Sequence, residues 1–235
     1  MENKEKHFFY SNAYLWFALA FLVTVAGFYP SYFSRLGEMS VAHHFHGISA
    51  TLWMLLLVVQ PFLYKTGAMK WHRLLGRFSI VLVVLIVIGG LLMVHMMLNN
   101  ENYPPGLPYQ LSFIDFFVIT QFILFYVLAI KNVRNTQYHA RYMACTIFGP
   151  LIPAITRLLP NLGIVDTMQT SLHFSYIIVH VVLLVLIFND KRRDKIRLPY
   201  LLALGLMLVQ HLTMVYAANW GWWQWLMDAY AGLPF

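Results

Sequence analysis

Residues 76–98 read GRFSIVLVVLIVIGGLLMVHMML, an almost unbroken apolar run. A helix rises about 1.5 Å per residue, so a run of this length can cross the roughly 30 Å hydrocarbon core of a bilayer. The one formal charge in it is Arg77, at the start, and the one other ionisable group is His95, close to the end. We therefore predict a transmembrane helix here.

The composition extends this prediction to the whole chain. Of the 235 residues, 60% are hydrophobic and 11% are charged, against about 25% charged in an average soluble domain. The mean hydropathy is +0.64. These values argue against a soluble globule and against a disordered chain. The single cysteine, Cys145, excludes an intramolecular disulfide and a zinc site built from cysteines.

Six other segments have similar length and hydropathy. We predict an all-α fold of seven transmembrane helices, one helix followed by three hairpins, in a single domain that covers 1–235. The first segment is too long for the apolar core of a signal peptide and its exit has no small-x-small cleavage pattern, so we interpret it as an uncleaved helix. The seven predicted spans are 13–34, 41–64, 76–98, 111–131, 140–158, 168–188 and 199–218.

The basic residues predict how these spans are oriented. In the seven-span arrangement, only Arg35 and Arg157 of the 16 basic residues fall on one side of the membrane. The positive-inside rule then places the N-terminus in the cytoplasm and the C-terminus outside. The same rule explains the net charge of +7, because the basic residues lie in cytoplasmic loops. A nucleic-acid partner is not needed to explain this charge. The basic residues on the inner side are Lys4, Lys6, Lys65, Lys70, Arg73, Arg77, Lys131, Arg134, Arg141, Lys191, Arg192, Arg193, Lys195 and Arg197.

Tryptophans are concentrated at the C-terminal end of the chain. The segment 219–235 contains Trp220, Trp222, Trp223 and Trp225. Tryptophan prefers the headgroup layer of a bilayer. We therefore expect this segment to lie along the outer membrane surface as an anchor.

Ionisable residues of five different spans share one depth in the predicted bundle. His46, His95, Asp115, His173 and His211 each lie within about two turns of the outer membrane surface. Ionisable groups in a membrane are costly and usually face the interior of the bundle. Imidazoles together with a carboxylate suit zinc, iron or copper. We predict these five residues as a metal centre in the outer half of the bundle, with Asp115 as a ligand, as a residue that orients a ligand, or as the ion-pair partner of Arg157.

Helical spacing adds a deeper histidine and a polar stripe. His173 and His180 are seven residues apart, so both lie on one face of their helix, and we take His46, His173 and His180 as candidate cofactor-binding residues. A second stripe follows the second span and consists of His43, His46, Gly47, Ala50, Trp53 and Gln60.

Several functions are compatible with this set of residues. The leading hypothesis is a membrane metalloprotein, either a redox or metal-dependent enzyme or a metallation factor. A haem b electron carrier needs two opposed histidines and a flat pocket, for which Gly47, Gly89 and Gly90 could make room. A proton-coupled transporter would use His180 and Asp115 as relay groups, and a purely structural subunit is the fourth hypothesis.

The inner side carries a pair of similar basic motifs, His72-Arg73 and His139-x-Arg141, each at the start of a helix. Such positions suit lipid headgroups or other anions. A quinone or another small-molecule substrate is the sharper alternative there.

Part of the sequence resembles a known group of membrane proteins. The stretch His44-Phe45-His46-Gly47, followed by Trp53, Gln60 and His72-Arg73-Leu74-Leu75-Gly76, is similar to an uncharacterised group of bacterial polytopic membrane proteins with the pattern H-x-H-G…W…Q…H-R-x-x-G. The later stretches 139–143 and 153–157 fit the same group. The resemblance implies a multi-pass protein of the bacterial inner membrane. A looser similarity is to b561-like cytochromes, which hold haem between histidines of neighbouring helices.

Overall fold

The computed structural model describes residues 12–234, and these residues form helices and connections without a strand. The fold is all-α, as predicted. The predicted inner-side residues Lys4 and Lys6, and the last residue, Phe235, lie outside the described residues. The helices are α1 (Ala13–Phe28), α2 (Val41–Lys65), α3 (Met69–Leu98), α4 (Leu107–Lys131), α5 (Thr136–Cys145), α6 (Phe148–Asn161), α7 (Met168–Arg193), α8 (Leu198–Ala217) and α9 (Gly221–Ala231), with a 3₁₀ helix at Phe33–Glu38.

Within residues 12–234, six helical segments are long and apolar enough to cross a membrane: α2, α3, α4, α5 together with α6, α7 and α8. The chain therefore has the character of a multi-pass membrane protein. Helix α1 is apolar but shorter, because its 16 residues cover only about 24 Å. The predicted first span, 13–34, is thus a helix that ends at Phe28. Pro30 follows, and it has no N–H to continue the helical hydrogen bonds.

The predicted fifth span, 140–158, is made of two helices. Helix α5 ends at Cys145, and α6 begins at Phe148. In a continuous helix the N–H of residue 150 would bond the carbonyl of Thr146, but residue 150 is proline and has no N–H. The hydroxyl of Thr146 bonds the Met143 carbonyl over 2.7 Å at the break.

Polar caps and glycines set the ends of several helices. Ser40 caps α2 by accepting from the His43 N–H, and Thr167 caps α7 by accepting from the Thr170 N–H over 3.2 Å. Gly163 has φ +67° just beyond α6, a conformation that favours glycine at the end of a helix. The ends of these helices therefore follow from local hydrogen bonding and backbone conformation.

The long helices form a ring. Helix α1 packs on α2 and α6, α2 on α3, α3 on α4, α4 on α8, α8 on α7, and α7 on α6. Gly27 of α1 lies directly against the backbone of Ala154 in α6, which closes the ring. Helix α4 also contacts α5 and α6 across this ring. The buried core includes Trp53, Phe122, Phe125, Ile152, Tyr176, Leu183 and Met207.

The tryptophan-rich segment is a short helix on top of α3 and α4. The Trp223 indole N–H donates to the Tyr109 carbonyl over 2.8 Å, and Tyr230 O–H donates to the Leu91 carbonyl over 2.9 Å. Burial raises the pKa of the Tyr230 hydroxyl. Trp222 and Trp225 point outward, with 61% and 72% of their surfaces exposed. We call this end of the bundle the α9 end, and the opposite end, which carries Lys65 and the basic stretch that closes α7, the basic end.

Candidate functional site

Three polar residues share one face of α7 and meet one histidine of α8. His173, Tyr176 and His180 follow each other at spacings of three and four, which places them on a single helical face. Because α7 and α8 are joined by a short connection, they run antiparallel, and the start of α7 lies beside the end of α8. His173 Nδ1 is 2.8 Å from His211 Nε2. This is a direct hydrogen bond between two imidazoles.

Tyr176 and His180 complete the group, which we call the α7–α8 cluster. The Tyr176 ring lies parallel to the His211 ring, with 4.6 Å between centroids and 8° between planes. The His180 ring is 5.3 Å from the His211 ring. Tyr176 is fully buried, and neither its hydroxyl nor His180 Nε2 has a hydrogen-bond partner among the described residues. Buried polar atoms of this kind usually meet a partner, so the cluster has unused hydrogen-bonding capacity.

The hydrogen bonds of the cluster define a direction. Gln169 Nε2 lies 3.4 Å from His173 Nε2. An amide nitrogen can only donate, so this His173 nitrogen accepts, and the ring proton of neutral His173 is on Nδ1. His173 then donates to His211 Nε2, which leaves the His211 proton on Nδ1. The tautomers are assigned from the network, and they form a chain that starts at the surface residue Gln169 and continues inward.

A carboxylate and a guanidinium lie near this cluster. Asp115 of α4 is within electrostatic reach of Arg157 of α6 and of Tyr176. The two charges do not form one of the ion pairs found in residues 12–234. Arg157 instead places its guanidinium 4.7 Å from the Phe28 ring centroid and donates to the Pro153 carbonyl. The proposed pairing of Asp115 with Arg157 is therefore a longer-range attraction.

The other two predicted ligands have different surroundings. His46 packs against Gly89, where an added Cβ would lie 3.1 Å from the His46 Cα, and its buried Nδ1 has no partner among the described residues. His95 hydrogen-bonds through Nε2 with the carbonyl oxygens of Ala231 and Leu233, and thereby holds the end of α9. Of the predicted metal and cofactor residues, the structure brings together His173, His180 and His211.

No metal-binding geometry is present in the part of the chain that the structure describes. Among residues 12–234, no group of three or more His, Cys, Asp or Glu side chains is arranged to hold a metal ion. The metal centre and the alternative haem site stay predictions.

Two histidines at the basic end, His72 and His139, connect neighbouring helices by hydrogen bonds and thereby act as clamps between them. His72 Nδ1 bonds the Gln60 carbonyl over 3.3 Å, and the Gln60 side chain donates back to the His72 carbonyl over 3.2 Å. His139 Nδ1 bonds the Ala129 carbonyl over 2.9 Å. In both hairpins the histidine ties the start of one helix to the end of the preceding helix, so each has a structural role.

Sequence reasoning missed two polar groups. Tyr176 could have been found from its position three residues after His173 and four before His180, but aromatic residues are common in membrane helices and it gave no separate signal. Gln210 is fully buried, accepts from the Gln121 side chain over 3.0 Å and donates to the Ile114 carbonyl over 2.9 Å. It holds α8 beside α4 directly next to His211.

Searches against protein-family models, curated proteins and solved structures found no match to this chain. Function is therefore inferred from the α7–α8 cluster itself.

Proposed function

We propose that the protein is a proton-translocating multi-pass membrane protein, in which the α7–α8 cluster carries protons through one half of the bundle. The observation that carries this proposal is the 2.8 Å contact between His173 Nδ1 and His211 Nε2. Ionisable residues inside membrane proteins commonly pair with one another and mark proton pathways. Proton translocation is the step that proton-coupled transporters and pumps share.

The hydrogen-bond direction supports a balanced transfer. A proton that arrives at His173 Nε2 makes this ring a cation, which passes its Nδ1 proton to His211 Nε2. His211 then releases its own proton from Nδ1 to water, so one proton enters and one leaves. Both rings then carry their proton on Nε2, and each must turn over before the next transfer. Histidine suits this role because its ordinary pKa lies near neutral pH. Asp115 is the carboxyl group within electrostatic reach of this cluster, through Tyr176.

We also propose an orientation of the bundle in the membrane. We place the α9 end outside and the basic end in the cytoplasm of a bacterial inner membrane, with α1 as a seventh, short span. The distribution of basic residues supports this orientation, and the packing of α1 along α2 and α6 supports its inclusion in the bundle. The Gln169 end of the chain then faces the outer side.

The test is proton flux in liposomes. Purified protein is reconstituted into vesicles that contain a pH-sensitive dye, and a potassium diffusion potential drives protons inward. The wild type should acidify the lumen faster than protein-free vesicles, and His173→Gln and His211→Gln should lose most of this flux. His139→Gln is the matched control, because it makes the same chemical change in a clamp at the other end. Flux equal to that of empty vesicles, or undiminished in both cluster variants, would overturn the proposal.

A metal centre is the second candidate, and one observation favours it. The His211 ring lies 5.1 Å from the His173 ring and 5.3 Å from the His180 ring, and two imidazoles on one tetrahedral ion have ring centroids about 5 Å apart. Since these side chains do not form a metal-binding group as they stand, binding requires the unpartnered His180 Nε2 to turn inward. Metal analysis and a visible spectrum of the same preparations test this. One equivalent of metal that is lost in His211→Gln supports the ion, and a Soret band supports haem.

A further inference from the structure

A second polar line runs along α2, on the other side of the bundle from the α7–α8 cluster. His46, Trp53 and Gln60 are spaced by seven residues, so they lie on one face of the helix and cover about 21 Å of its length. Each has a buried polar atom that finds no hydrogen-bond partner among residues 12–234: His46 Nδ1, Trp53 Nε1 and Gln60 Oε1. Three such atoms on one stripe are more than packing alone explains.

The central member of this stripe is the most deeply enclosed. Only 2% of the Trp53 surface is exposed, and its ring meets Phe122 and Tyr126 of α4 edge-on, with centroids 4.9 and 5.8 Å away. An indole N–H can donate but cannot accept. It therefore needs an acceptor, which the surrounding described residues do not provide.

Further polar groups of α3 and α4 line the same interface. The Tyr126 hydroxyl lies 2.8 Å from Ser79 Oγ, and the Tyr126 ring contacts Trp53 of α2. Two glycines of α3 face the ends of the stripe: Gly89 lies against His46, and a Cβ at Gly76 would be 3.7 Å from Gln60 Nε2. The missing side chain at Gly89 lets His46 approach the α3 backbone, and Gln60 contacts the α3 backbone by donating to the His72 carbonyl.

We propose that ordered water binds along this seam, which we define as the interface of His46, Trp53 and Gln60 with α3 and α4. Water is the ligand that fits, because it can accept from Trp53 Nε1 and also donate to His46 Nδ1 and Gln60 Oε1. Buried water typically bonds to polar groups that would otherwise be unsatisfied. Four residues of the pattern H-x-H-G…W…Q…H-R-x-x-G lie in this seam: His46, Trp53, Gln60 and Gly76. None of them belongs to the α7–α8 cluster. It does not depend on proton translocation.

Radiolytic labelling tests the seam directly. Hydroxyl radicals formed from water by X-rays oxidise side chains that touch water, and mass spectrometry then locates the oxidised residue. Trp53 should be oxidised although it is almost completely buried. Cys145 is the reference for a residue without water contact, since it is 2% exposed and its thiol donates to the Pro199 carbonyl. A thiol reacts with hydroxyl radicals more readily than an indole, so an unlabelled Cys145 shows that water does not reach it.

Matched variants identify the position of the water. His46→Leu and Gln60→Leu each remove one anchor of the seam and should lose most of the Trp53 labelling. His43→Leu makes the same change one turn away on α2, where the imidazole is bonded to Ser40, and should keep it. Trp53 as unlabelled as Cys145, or labelled equally in all three variants, would overturn the proposal. The readout is water contact, so a lack of proton flux in liposomes leaves this result unaffected.

Discussion

Arg141 Nε donates to Asp190 Oδ2 over 2.7 Å, and only 2% and 1% of the two side chains are exposed. The pair joins α5 to α7 near the basic end. Nη2 donates to Asp190 Oδ1, and the third guanidinium nitrogen, Nη1, donates to the carbonyl and side-chain oxygens of Gln137, over 2.8 and 2.7 Å. The charges are therefore well satisfied, and each depends on the other.

Arg141→Met should destabilise the protein by about 3–5 kcal/mol, because it removes the positive charge that balances the buried Asp190 carboxylate. The double variant Arg141→Met/Asp190→Leu should recover most of this loss. Arg197→Met is the control: its partner Asp194 is 59% exposed, and exposed pairs contribute about 1 kcal/mol or less. Reversible unfolding in mixed micelles measures all four proteins. Equal losses for Arg141→Met and Arg197→Met would contradict the prediction.

This pair shows what the sequence could and could not predict. Hydropathy located the long helices, and the charge count assigned Arg141 to the basic side. The charge count does not predict that Arg141 is buried. Its burial depends on the ion pair with Asp190, and this pair forms only because one side of α7 faces α5. Asp190 lies just before three basic residues, Lys191, Arg192 and Arg193, and has the appearance of an ordinary loop charge.

The candidate site shows the same limit. The sequence predicts the depth of each histidine from its position along a span, and the face of each helix from the spacing. It does not predict which helices are neighbours when they are distant in the chain. His173 and His211 meet because α7 and α8 are consecutive. His95 instead bonds the end of α9, and His46 packs against Gly89 of α3, so neither residue joins this pair.

Gly27→Ala should destabilise the bundle, because the added Cβ would collide with the carbonyl oxygen of Ala154 where α1 packs on α6. Gly205→Ala is a matched change within α8, at a point where no neighbouring atom of the described residues lies within 4 Å of the new Cβ. It should be neutral or stabilising by up to about 1 kcal/mol. Melting temperatures in detergent compare the two variants. A Gly27→Ala protein as stable as Gly205→Ala would mean that α1 does not pack closely on α6.

The hydrogen bond between His173 and His211 should be visible by NMR. In protein labelled with ¹⁵N-histidine, a proton shared between two nitrogens 2.8 Å apart gives a nitrogen–nitrogen coupling across the bond. We expect this coupling in the wild type and in His139→Gln. It should disappear in His211→Phe, which keeps an aromatic ring beside Tyr176 but has no ring nitrogen. A coupling that persists in His211→Phe would assign the bond to another pair.

Trp223→Phe should loosen α9, because it removes the indole hydrogen bond to the Tyr109 carbonyl. Trp225→Phe should have little effect on α9 packing, since 72% of Trp225 is exposed. Limited proteolysis reports the difference: we expect faster cleavage between α8 and α9 in Trp223→Phe than in Trp225→Phe or the wild type. Equal cleavage rates would show that the Trp223 hydrogen bond does not hold the helix.

The position of the N-terminus decides whether α1 crosses the membrane. Fourteen of the 16 basic residues fall on one side in the seven-span arrangement, which predicts that this side is cytoplasmic. A reporter fused after Phe235 should be active outside the cytoplasm, and one inserted between Lys191 and Lys195 should be active inside. A reporter before Met1 should also be inside. With six spans and the same C-terminus it would be outside, because α1 would then lie on the outer surface together with the 3₁₀ helix. An outside N-terminus would leave six spans. If the reporter after Phe235 and the reporter in the Lys191–Lys195 loop lie on the same side, α8 does not cross the membrane. The α7–α8 cluster would then not lie in the outer half of the bundle.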